Sequence, residues 1–510
     1  MKFSKEELTS LMQEYEATHH VDEYVVDDWH VWPLLRLTLC MGWLPIKAPS
    51  VFTAQKKVTS TPYMYIRKLA NQAYGWLKYQ SYTQNLKHLV SLERKYDPEH
   101  TDQHDAKRDV VLLTLSDRRI KLNDSLYEIY SDPFIEILKD IGVSTLVWEQ
   151  GLPRYPRHSS SAWISRRLEA ECRQIKPLHS LSETPSWFAS YQTLSTQIIG
   201  RVVEWQEVKG RIDAVTKQSL VFEQWLRKVT PSLFISVCWY SPLVMAATMA
   251  AHRLGIKTVE MQHGLQDNVH FAYSCWERSP KNGYEVVPHF FWCWGANSAK
   301  SLRLNNPAFT PHAEFLVGGN LWLNRWLSHN QPCPKDNLQL GITSFTKTIL
   351  VTLQLDIEEI LFEAIKESPH SWKWLIRFHP ARDNIIRKHE EQRFRELQHP
   401  GVEIEHNDML LYELLGKSNI HITGYSTCTL EAIALGIPTI IISRNGRTTF
   451  KQLIEKGVVL YAETTDDLLN CIRFGTLHTT ASTAIQQEFA RDHEARTTLS
   501  YLLECEGPIQ

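Results

Sequence analysis

Two segments in the last third of the chain decide the fold: WLIRFHP at positions 374–380 and NIHITGYSTCTLEAIALGIPTIII at positions 419–442. Each begins with a short apolar run, 374–378 and 420–423, that is rich in β-branched and aromatic residues and leads directly into polar residues. Such runs are typical of buried strands. In open parallel α/β sheets, ligands bind outside the carboxyl ends of the strands. We therefore expect a ligand site where these two runs end.

The polar residues at the two strand ends suit an anionic group. Arg377 lies near the end of the first run and His379 follows it, and Pro380 fixes the backbone so that the imidazole projects from the strand end. The second run ends at Gly424 and leads into a helix whose first residues carry hydroxyl groups: Ser426, Thr427 and Thr429. Free N–H groups at a helix N-terminus favour an anion, although a Ser-Thr pair is also an ordinary helix cap. We predict a phosphate or diphosphate here, with Glu431 accepting hydrogen bonds from a ribose.

Apolar runs alternate with helical patterns along most of the chain, which predicts parallel sheets. The predicted strands of a first sheet are 110–115, 144–148, 233–238, 256–261, 289–294 and 313–317. Those of a second sheet are 349–353, 374–378, 420–423 and 439–443. We predict an α/β protein with a helical N-terminal region over 1–100 and two Rossmann-like doubly wound domains over 101–330 and 331–510. A helix at 483–503 closes the second domain, and the two sheets face a common cleft.

RFHP and YSTCTLEA, at 377–380 and 425–432, resemble the HP motif and the Ser-Ser or Ser-Thr motif of bacterial sialyltransferases and polysialyltransferases. The chain also resembles, more loosely, bacterial Kdo and capsule-polysaccharide transferases. These families are GT-B glycosyltransferases, with two Rossmann-like domains around a cleft. Gly424, Glu431 and the GIP run at 436–438 match features of GT-B donor domains. The resemblance covers the last third of the chain well and the middle third loosely, and it does not include the first hundred residues.

This resemblance implies an enzyme that transfers a sugar from a nucleotide donor to a bacterial surface glycan, of the capsule or lipopolysaccharide type. The His of HP and the Ser-Thr hydroxyls would hold the nucleotide phosphate, which makes 331–510 the donor domain and 101–330 the acceptor domain. The motifs favour a CMP-activated ulosonic acid, such as a sialic acid, a related nonulosonic acid or Kdo. A UDP- or GDP-hexose donor is one alternative. A UDP-sugar 2-epimerase of the same fold, which usually carries Ser-Gly-Gly at the phosphate turn, and an inactive binding subunit are others.

Gln262, His263 and Gly264 follow a predicted strand of the first sheet and should therefore face the cleft. Gly264 permits a tight turn that leaves His263 exposed. A histidine has a pKa near neutrality, so His263 could be a general base for an acceptor hydroxyl, orient the sugar or bind phosphate. A structural histidine under a loop is the alternative. Motifs of the form QHG also occur in capsule-type transferases, and we expect Gln262 to contact substrate.

Asp117 and Asp124 lie after the first strand and are further candidates for catalysis. A carboxylate there could deprotonate an acceptor or serve as a nucleophile, whereas surface loop acids are the alternative. Sialyltransferase families carry an acidic-acidic-Gly motif for the base, and this chain has no clear match, which leaves the base open. No D-x-D follows a strand and no H-E-x-x-H occurs, so we expect no metal and no cofactor. Arg377, His379 and the helix at Ser426 would stabilise the leaving phosphate instead.

Composition narrows the class of protein and its location. With 510 residues, 43% of them hydrophobic and 22% charged, the chain is expected to form two or three globular domains. A net charge of −2 gives no reason to expect nucleic acid. Nine scattered cysteines without a C-x-x-C pair, a polar N-terminus and the lack of an apolar run near ~18 residues favour a cytoplasmic protein.

Residues 63–96 mix tyrosines and a tryptophan with lysines and arginines, and Glu93 is their only acid. One interpretation is a helix pair that packs on the next domain with a solvated basic face. The other is an interfacial helix that binds anionic lipid on the inner face of the cell membrane. The expected partners are thus a nucleotide sugar, a glycan or lipid-linked glycan acceptor and, in the second interpretation, an anionic membrane surface.

Overall fold

The computed structural model describes most of the chain in separate stretches: residues 3–43, 106–176, 183–266, 269–327, 345–354, 357–379, 382, 384–405, 409–475, 489 and 492–505. Both predicted domain boundaries, the basic stretch 63–96 and Pro380 lie outside these residues, so the expectations for them stay predictions.

Two helices and a small hairpin begin the described chain: α1 (Lys5–Thr18), β1 (Val25–Val26), β2 (Trp29–His30) and α2 (Trp32–Trp43). A capping box begins α1. The Ser4 hydroxyl accepts a hydrogen bond from the Glu7 N–H at 3.1 Å, and the Ser4 N–H donates to the Glu7 carboxylate at 2.6 Å. Apolar side chains of both helices join the core under the N-terminal sheet, so this helical region packs as part of the first domain.

The first domain is built on a seven-stranded parallel sheet. Its strands are β3 (Val110–Leu115), β6 (Thr145–Gln150), β7 (Ala162–Trp163), β8 (Leu233–Val237), β9 (Lys257–Met261), β10 (Phe290–Cys293) and β11 (Glu314–Val317), and an antiparallel hairpin, β4 (Arg119–Leu122) with β5 (Ser125–Glu128), follows β3. The spatial order is β11-β10-β9-β8-β3-β6-β7, with the order reversing between β3 and β8. The polar segment after β3 forms the hairpin, whereas the sequence predicted only a loop there.

Helices cover both faces of this sheet, which explains why its strands are continuous apolar runs. They are α3 (Ser131–Asp140), α4 (Ser165–Cys172), α5 (Phe188–Ile199), α6 (Trp205–Val229), α7 (Pro242–Arg253), α8 (Ala296–Asn305) and α9 (Leu321–Leu327). Pro242 occupies the first turn of α7, where a missing N–H costs nothing. Among the described helices none is long and apolar enough to cross a bilayer.

The second domain has a six-stranded parallel sheet. Its strands are β12 (Lys347–Thr352), β13 (Trp372–Arg377), β14 (Val402–Glu405), β15 (Ile420–Thr423), β16 (Thr439–Ile441) and β17 (Leu460–Tyr461). The order β14-β13-β12-β15-β16-β17 reverses between β12 and β15, as in dinucleotide-binding folds. The helices are α10 (Glu359–Glu367), α11 (Asn384–Glu396), α12 (Leu411–Gly416), α13 (Cys428–Ala434), α14 (Arg444–Thr449), α15 (Lys451–Glu455), α16 (Thr465–Phe474) and α17 (Asp492–Glu504).

The predicted α/β class with two doubly wound domains is therefore confirmed. The domains share an apolar cluster in which Tyr127 and Trp322 of the first domain meet Tyr412 and Ile433 of the second. The rings of Trp322 and Tyr412 stack with centroids 6.1 Å apart. The last helix, α17, follows the second sheet in sequence but packs on the first, where Lys257 donates a hydrogen bond to the Leu502 carbonyl at 2.6 Å. The chain thus crosses between the domains twice.

Candidate functional site

The Ser-Thr segment lies at the carboxyl end of β15 and at the start of α13, as predicted. Ser426 is buried, and its hydroxyl accepts a hydrogen bond from the Cys428 N–H at 3.2 Å. Thr427 directly precedes the helix, and its side chain makes no capping bond. Thr429 is fully buried, and its hydroxyl has no hydrogen-bond partner among the described residues. Because α13 has only seven residues, its dipole is modest and side chains must supply most of the contacts to an anion.

Gly424 is held against the next strand–helix turn. Its carbonyl accepts a hydrogen bond from the Ser443 hydroxyl at 2.9 Å, and the same hydroxyl accepts one from the Gly446 N–H at 2.9 Å. A Cβ atom at Gly446 would lie 1.9 Å from the Gly424 carbonyl oxygen. The loop therefore requires glycine at 446, a position that the sequence analysis did not single out. The run Arg444–Thr449 in the sequence gave no sign of this approach, because it depends on two loops that are distant in sequence.

Arg377 ends β13 and points toward the start of α13. Its guanidinium donates to the Met409 carbonyl at 2.8 Å and lies 3.5 Å from the Glu405 carboxylate. Burial lowers the pKa of Arg377, whereas Glu405 and Cys428 act in the other direction. The structure thus brings Arg377 to the predicted edge but gives it a structural partner there.

His379 is exposed two residues beyond Arg377. Partial burial of the ring lowers the pKa of His379, and the positive charge of Arg382 lowers it further. The imidazole is therefore neutral near pH 7. A neutral imidazole can still donate one N–H to a phosphate oxygen. Its contact with phosphate stays a prediction.

Glu431 lies in the first turn of α13, inside the space between the domains. The Tyr412 hydroxyl donates a hydrogen bond to its carboxylate. Burial raises the pKa of Glu431 to about 7, although hydrogen bonds from Tyr412 and Cys428 oppose that shift. The charge of Glu431 also acts on the phenol of Tyr130, which belongs to the first domain. The carboxylate is therefore within electrostatic range of a side chain of the first domain.

His263 follows β9, and only 16% of its side chain is exposed. The Tyr240 hydroxyl lies 3.2 Å from its Nε2, and the buried Glu260 carboxylate lies 3.3 Å from its Nδ1. Burial opposes the charged ring, but the hydrogen bonds and charges of Cys238 and Glu260 outweigh it and raise the pKa of His263 to about 9. The ring is consequently protonated at neutral pH.

Tyr130 lies between His263 and the start of α13. Its hydroxyl donates a hydrogen bond to the His263 carbonyl at 3.0 Å. Burial raises the pKa of the same phenol, and the charges of Glu431 and Cys428 raise it further. A single side chain of the first domain is therefore close both to the predicted catalytic histidine and to α13. The sequence offered no sign of this role, because Tyr130 and His263 are 133 positions apart.

Gln262 is buried, and both the nitrogen and the oxygen of its side-chain amide form hydrogen bonds within the protein. Its amide nitrogen donates to the Gly264 carbonyl at 2.9 Å, and its amide oxygen accepts from the Trp294 N–H at 2.7 Å. These bonds fix the loop that carries His263. Direct contact of Gln262 with substrate stays a prediction.

Asp117 and Asp124 are both exposed, the first in the turn after β3 and the second at the tip of the β4–β5 hairpin. Neither carboxylate forms a hydrogen bond or an ion pair with the part of the chain that the structure describes. The structure does not bring either one together with His263, and their catalytic roles stay predictions.

The N-terminal helix also reaches the site. The ammonium group of Lys5 lies 5.5 Å from the centre of the Tyr425 ring, next to Ser426. Burial lowers the pKa of His270 to about 3, and the positive charge of Lys5 contributes to this shift. No sequence pattern indicates a role for Lys5, since its neighbours in the sequence do not distinguish it from a solvated lysine. Among the described residues, no group of three or more His, Cys, Asp or Glu side chains is placed to hold a metal ion.

Comparison with known proteins finds no matching family model and no matching curated sequence. Solved structures that resemble this one include UDP-GlcNAc 2-epimerases from Methanocaldococcus jannaschii (13% identity, 77% of this chain and 99% of that chain, TM-score 0.46) and from Neisseria meningitidis bound to UDP-GlcNAc (14%, 77%, 99%, TM-score 0.43). A glycosyltransferase from Rickettsia africae ESF-5 is similar to the same degree, with 12% identity, coverage of 78% of this chain and 98% of that chain, and a TM-score of 0.45. At this distance the likeness concerns the fold.

Proposed function

We propose that the protein is a metal-independent glycosyltransferase that uses a nucleotide-sugar donor. One observation carries the proposal: Tyr130 binds the His263 carbonyl and also lies within electrostatic range of Glu431 and Cys428. The carboxyl edges of the two sheets therefore meet around one cleft. A donor held by the second domain would place its reacting sugar beside groups of the first domain.

In this proposal the second domain binds the nucleotide. Ser426, Thr427 and the unpartnered hydroxyl of Thr429 surround the phosphate, with His379 as a donor and Arg377 as a nearby cation. Glu431 accepts hydrogen bonds from ribose hydroxyls. Support comes from the position of these residues at the point where the strand order of the second sheet reverses, which is where open α/β sheets bind ligands.

His263 acts on the reacting sugar. The raised pKa of His263 favours a protonated ring that holds the sugar or stabilises charge as the phosphate leaves. The alternative, a general base for the acceptor hydroxyl, requires the small neutral fraction of the ring at pH 7, or a base supplied by Asp117 or Asp124. The dependence of the rate on pH separates these roles.

We further propose that the donor is a CMP-activated ulosonic acid and that the acceptor is a bacterial surface glycan, free or lipid-linked. The HP and Ser-Thr segments support this donor through their resemblance to sialyltransferase motifs. A UDP- or GDP-hexose is the second candidate. The protein would act in the cytoplasm or against the inner face of the membrane.

Product analysis tests the proposal. The protein is incubated separately with CMP-sialic acid, CMP-Kdo, UDP-GlcNAc and GDP-mannose, each with a mixture of capsule and lipopolysaccharide oligosaccharides. We expect a released nucleotide and a lengthened oligosaccharide in one reaction, with no effect of EDTA. Free UDP with an epimerised sugar from UDP-GlcNAc alone, without any acceptor, would identify a 2-epimerase instead. Nucleotide binding without turnover in any mixture would identify a binding subunit.

A further inference from the structure

Two adjacent arginines follow β3, and their surroundings differ sharply. Arg119 is buried and donates to both carboxylate oxygens of Glu149, at 2.8 and 3.0 Å, and to the Leu126 carbonyl at 2.9 Å. Arg118 makes no hydrogen bond and no ion pair with the described part of the chain, and its Nη1 is a buried nitrogen without a partner. The contacts of Arg119 thus give it a structural role in the fold, whereas no contact of this kind gives Arg118 one.

Arg118 lies where a ligand is expected. It ends the turn after β3, beside the reversal of strand order between β3 and β8. Its guanidinium carbon lies 5.2 Å from the centre of the Tyr130 ring. The Tyr130 hydroxyl binds the His263 carbonyl, and the charge of Glu431 affects the pKa of Tyr130. Because Arg118 lies against the Tyr130 ring, it is close to the same residues.

Among the described residues, no acid forms an ion pair or a hydrogen bond with Arg118. Glu128 is within range of its charge but accepts hydrogen bonds from the N–H groups of Tyr130 and Ser131. Glu431 accepts from the Tyr412 hydroxyl. A buried cationic nitrogen without a partner is costly, and a planar guanidinium is best matched by the two oxygens of a carboxylate.

We propose that Arg118 binds the carboxylate of an acidic sugar carried by the nucleotide donor. The inference rests on the proposed function, in which Ser426 marks the phosphate and Glu431 the ribose. The sugar is the next part of the donor, and it would lie between α13 and His263, beside Arg118. Lys5 adds a second cation on the same side of the cleft, near Tyr425. A phosphate of the nucleotide is the other anion that this guanidinium could bind, and the experiment separates the two.

Binding is measured by calorimetry with two pairs of ligands: CMP against CMP-sialic acid, and UDP-glucose against UDP-glucuronic acid. The second pair differs only by a carboxylate. We expect the wild type to favour the acidic member of the pair whose nucleotide it accepts. Arg118→Met should weaken binding of that member about 10- to 150-fold, the range for a hydrogen bond to a charged group, and leave the other within about twofold. Arg118→Lys, which keeps the charge without the planar fork, should lie between.

Arg173→Met is the control, because Arg173 is an exposed arginine just after α4 that pairs with Glu169. It should bind both members as the wild type does. Equal weakening of both members in Arg118→Met would assign Arg118 to phosphate and overturn the inference, and so would unchanged binding of both. If uridine ligands bind and cytidine ligands do not, the CMP donor is wrong, but the UDP pair still decides the role of Arg118. If no nucleotide binds at all, both proposals fail.

Discussion

At the scale of single residues, the account depends on two groups whose protonation the cleft has changed. His263 binds its proton more tightly than an ordinary histidine, and so does the carboxyl group of Glu431. Near pH 7 the first is a cation and the second is close to half ionised. Tyr130 binds the His263 carbonyl and is within electrostatic range of Glu431, so the charge around Tyr130 changes between neutral pH and about pH 9.

His263→Ala should lower kcat by ~10²–10⁴ if the ring acts on the reacting sugar. Nucleotide affinity should barely change, because the nucleotide is bound by the other domain. If the protonated ring is the active form, the rate of the wild type should fall as the pH rises through about 9. A rate that instead increases up to about pH 9 would indicate the base role.

Asp117→Ala and Asp124→Ala are the matched variants for this experiment, since either acid could be the base. Near-normal turnover in His263→Ala together with an inactive aspartate variant would contradict the role of His263.

The raised pKa of His263 also makes the stability of the fold depend on pH. Because the folded-state pKa of His263 is raised, its contribution to the free energy of unfolding is full below the ordinary pKa of about 6.5. It is lost as the pH rises through about 9.

We expect Glu431 to make nucleotide binding depend on pH. If ribose hydroxyls donate to its carboxylate, only the ionised form accepts both of them. Because the pKa of Glu431 is about 7, its ionised fraction rises between about pH 6 and pH 8. The affinity for a nucleotide sugar should therefore increase about tenfold over this range. A nucleotide sugar is the right probe, since its esterified phosphates do not titrate in this range. Glu431→Gln should remove the dependence on pH, and an unchanged slope in that variant would rule out the role of Glu431.

At the scale of elements, the strands were predictable and the links between distant elements were not. The run 420–423 coincides with β15, and 110–115 coincides with β3, because buried parallel strands are short continuous apolar runs. The β4–β5 hairpin was missed because Asn123 and Asp124 make its sequence resemble an ordinary polar loop. The residues gathered at each strand end were also predictable, since the ends of parallel strands share an edge.

The rest of the site depends on packing between elements that are far apart in sequence. Arg118 is adjacent to a predicted residue, Asp117, and the rule that ligands bind at strand ends applied equally to both. What distinguishes Arg118 is its contact with Tyr130 and its lack of a partner, which appear only once the fold is assembled. Lys5 reaches Tyr425 through the packing of α1, a contact that no local pattern indicates.

A buried ion pair contributes to that packing of α1. Arg36 of α2 donates to the Glu16 carboxylate at 2.6 Å, to the Ser274 carbonyl at 2.9 Å and to the Cys275 carbonyl at 3.0 Å, and the pair is almost completely buried. Arg36→Met should lower the free energy of unfolding by ~3–5 kcal/mol, because it leaves Glu16 buried without its cation. Denaturation by urea measures this.

The double variant Glu16→Gln with Arg36→Met is the control, since it removes the unpaired charge. It should recover part of the lost stability. If Arg36→Met is as stable as the wild type, the pair does not fix α1, and the placement of Lys5 in the cleft loses its support.

At the scale of the whole molecule, the two domains share the apolar cluster around Tyr127, Trp322 and Tyr412, while residues 63–96 lie outside the described part of the chain. Their excess of lysine and arginine predicts binding to anionic lipid. Vesicles that contain phosphatidylserine should sediment the protein at low salt, and release it as salt screens the charge. Neutral phosphatidylcholine vesicles are the control. Failure to sediment with anionic vesicles at any ionic strength would leave 63–96 with a structural role only.

Thermal unfolding with CMP, CDP, UDP, GDP and dTDP tests whether the second domain binds the nucleotide of a sugar donor. A ligand at ~100 times its Kd adds about 2.7 kcal/mol to the stability of the folded state. We predict that a cytidine nucleotide raises the Tm of the wild type. His379→Ala should lose most of this increase, because a hydrogen bond to a charged group contributes about 1.5–3 kcal/mol. His389→Ala, with its exposed ring on α11, should keep it. No shift with any of the five nucleotides, or equal shifts in all three proteins, would contradict the account.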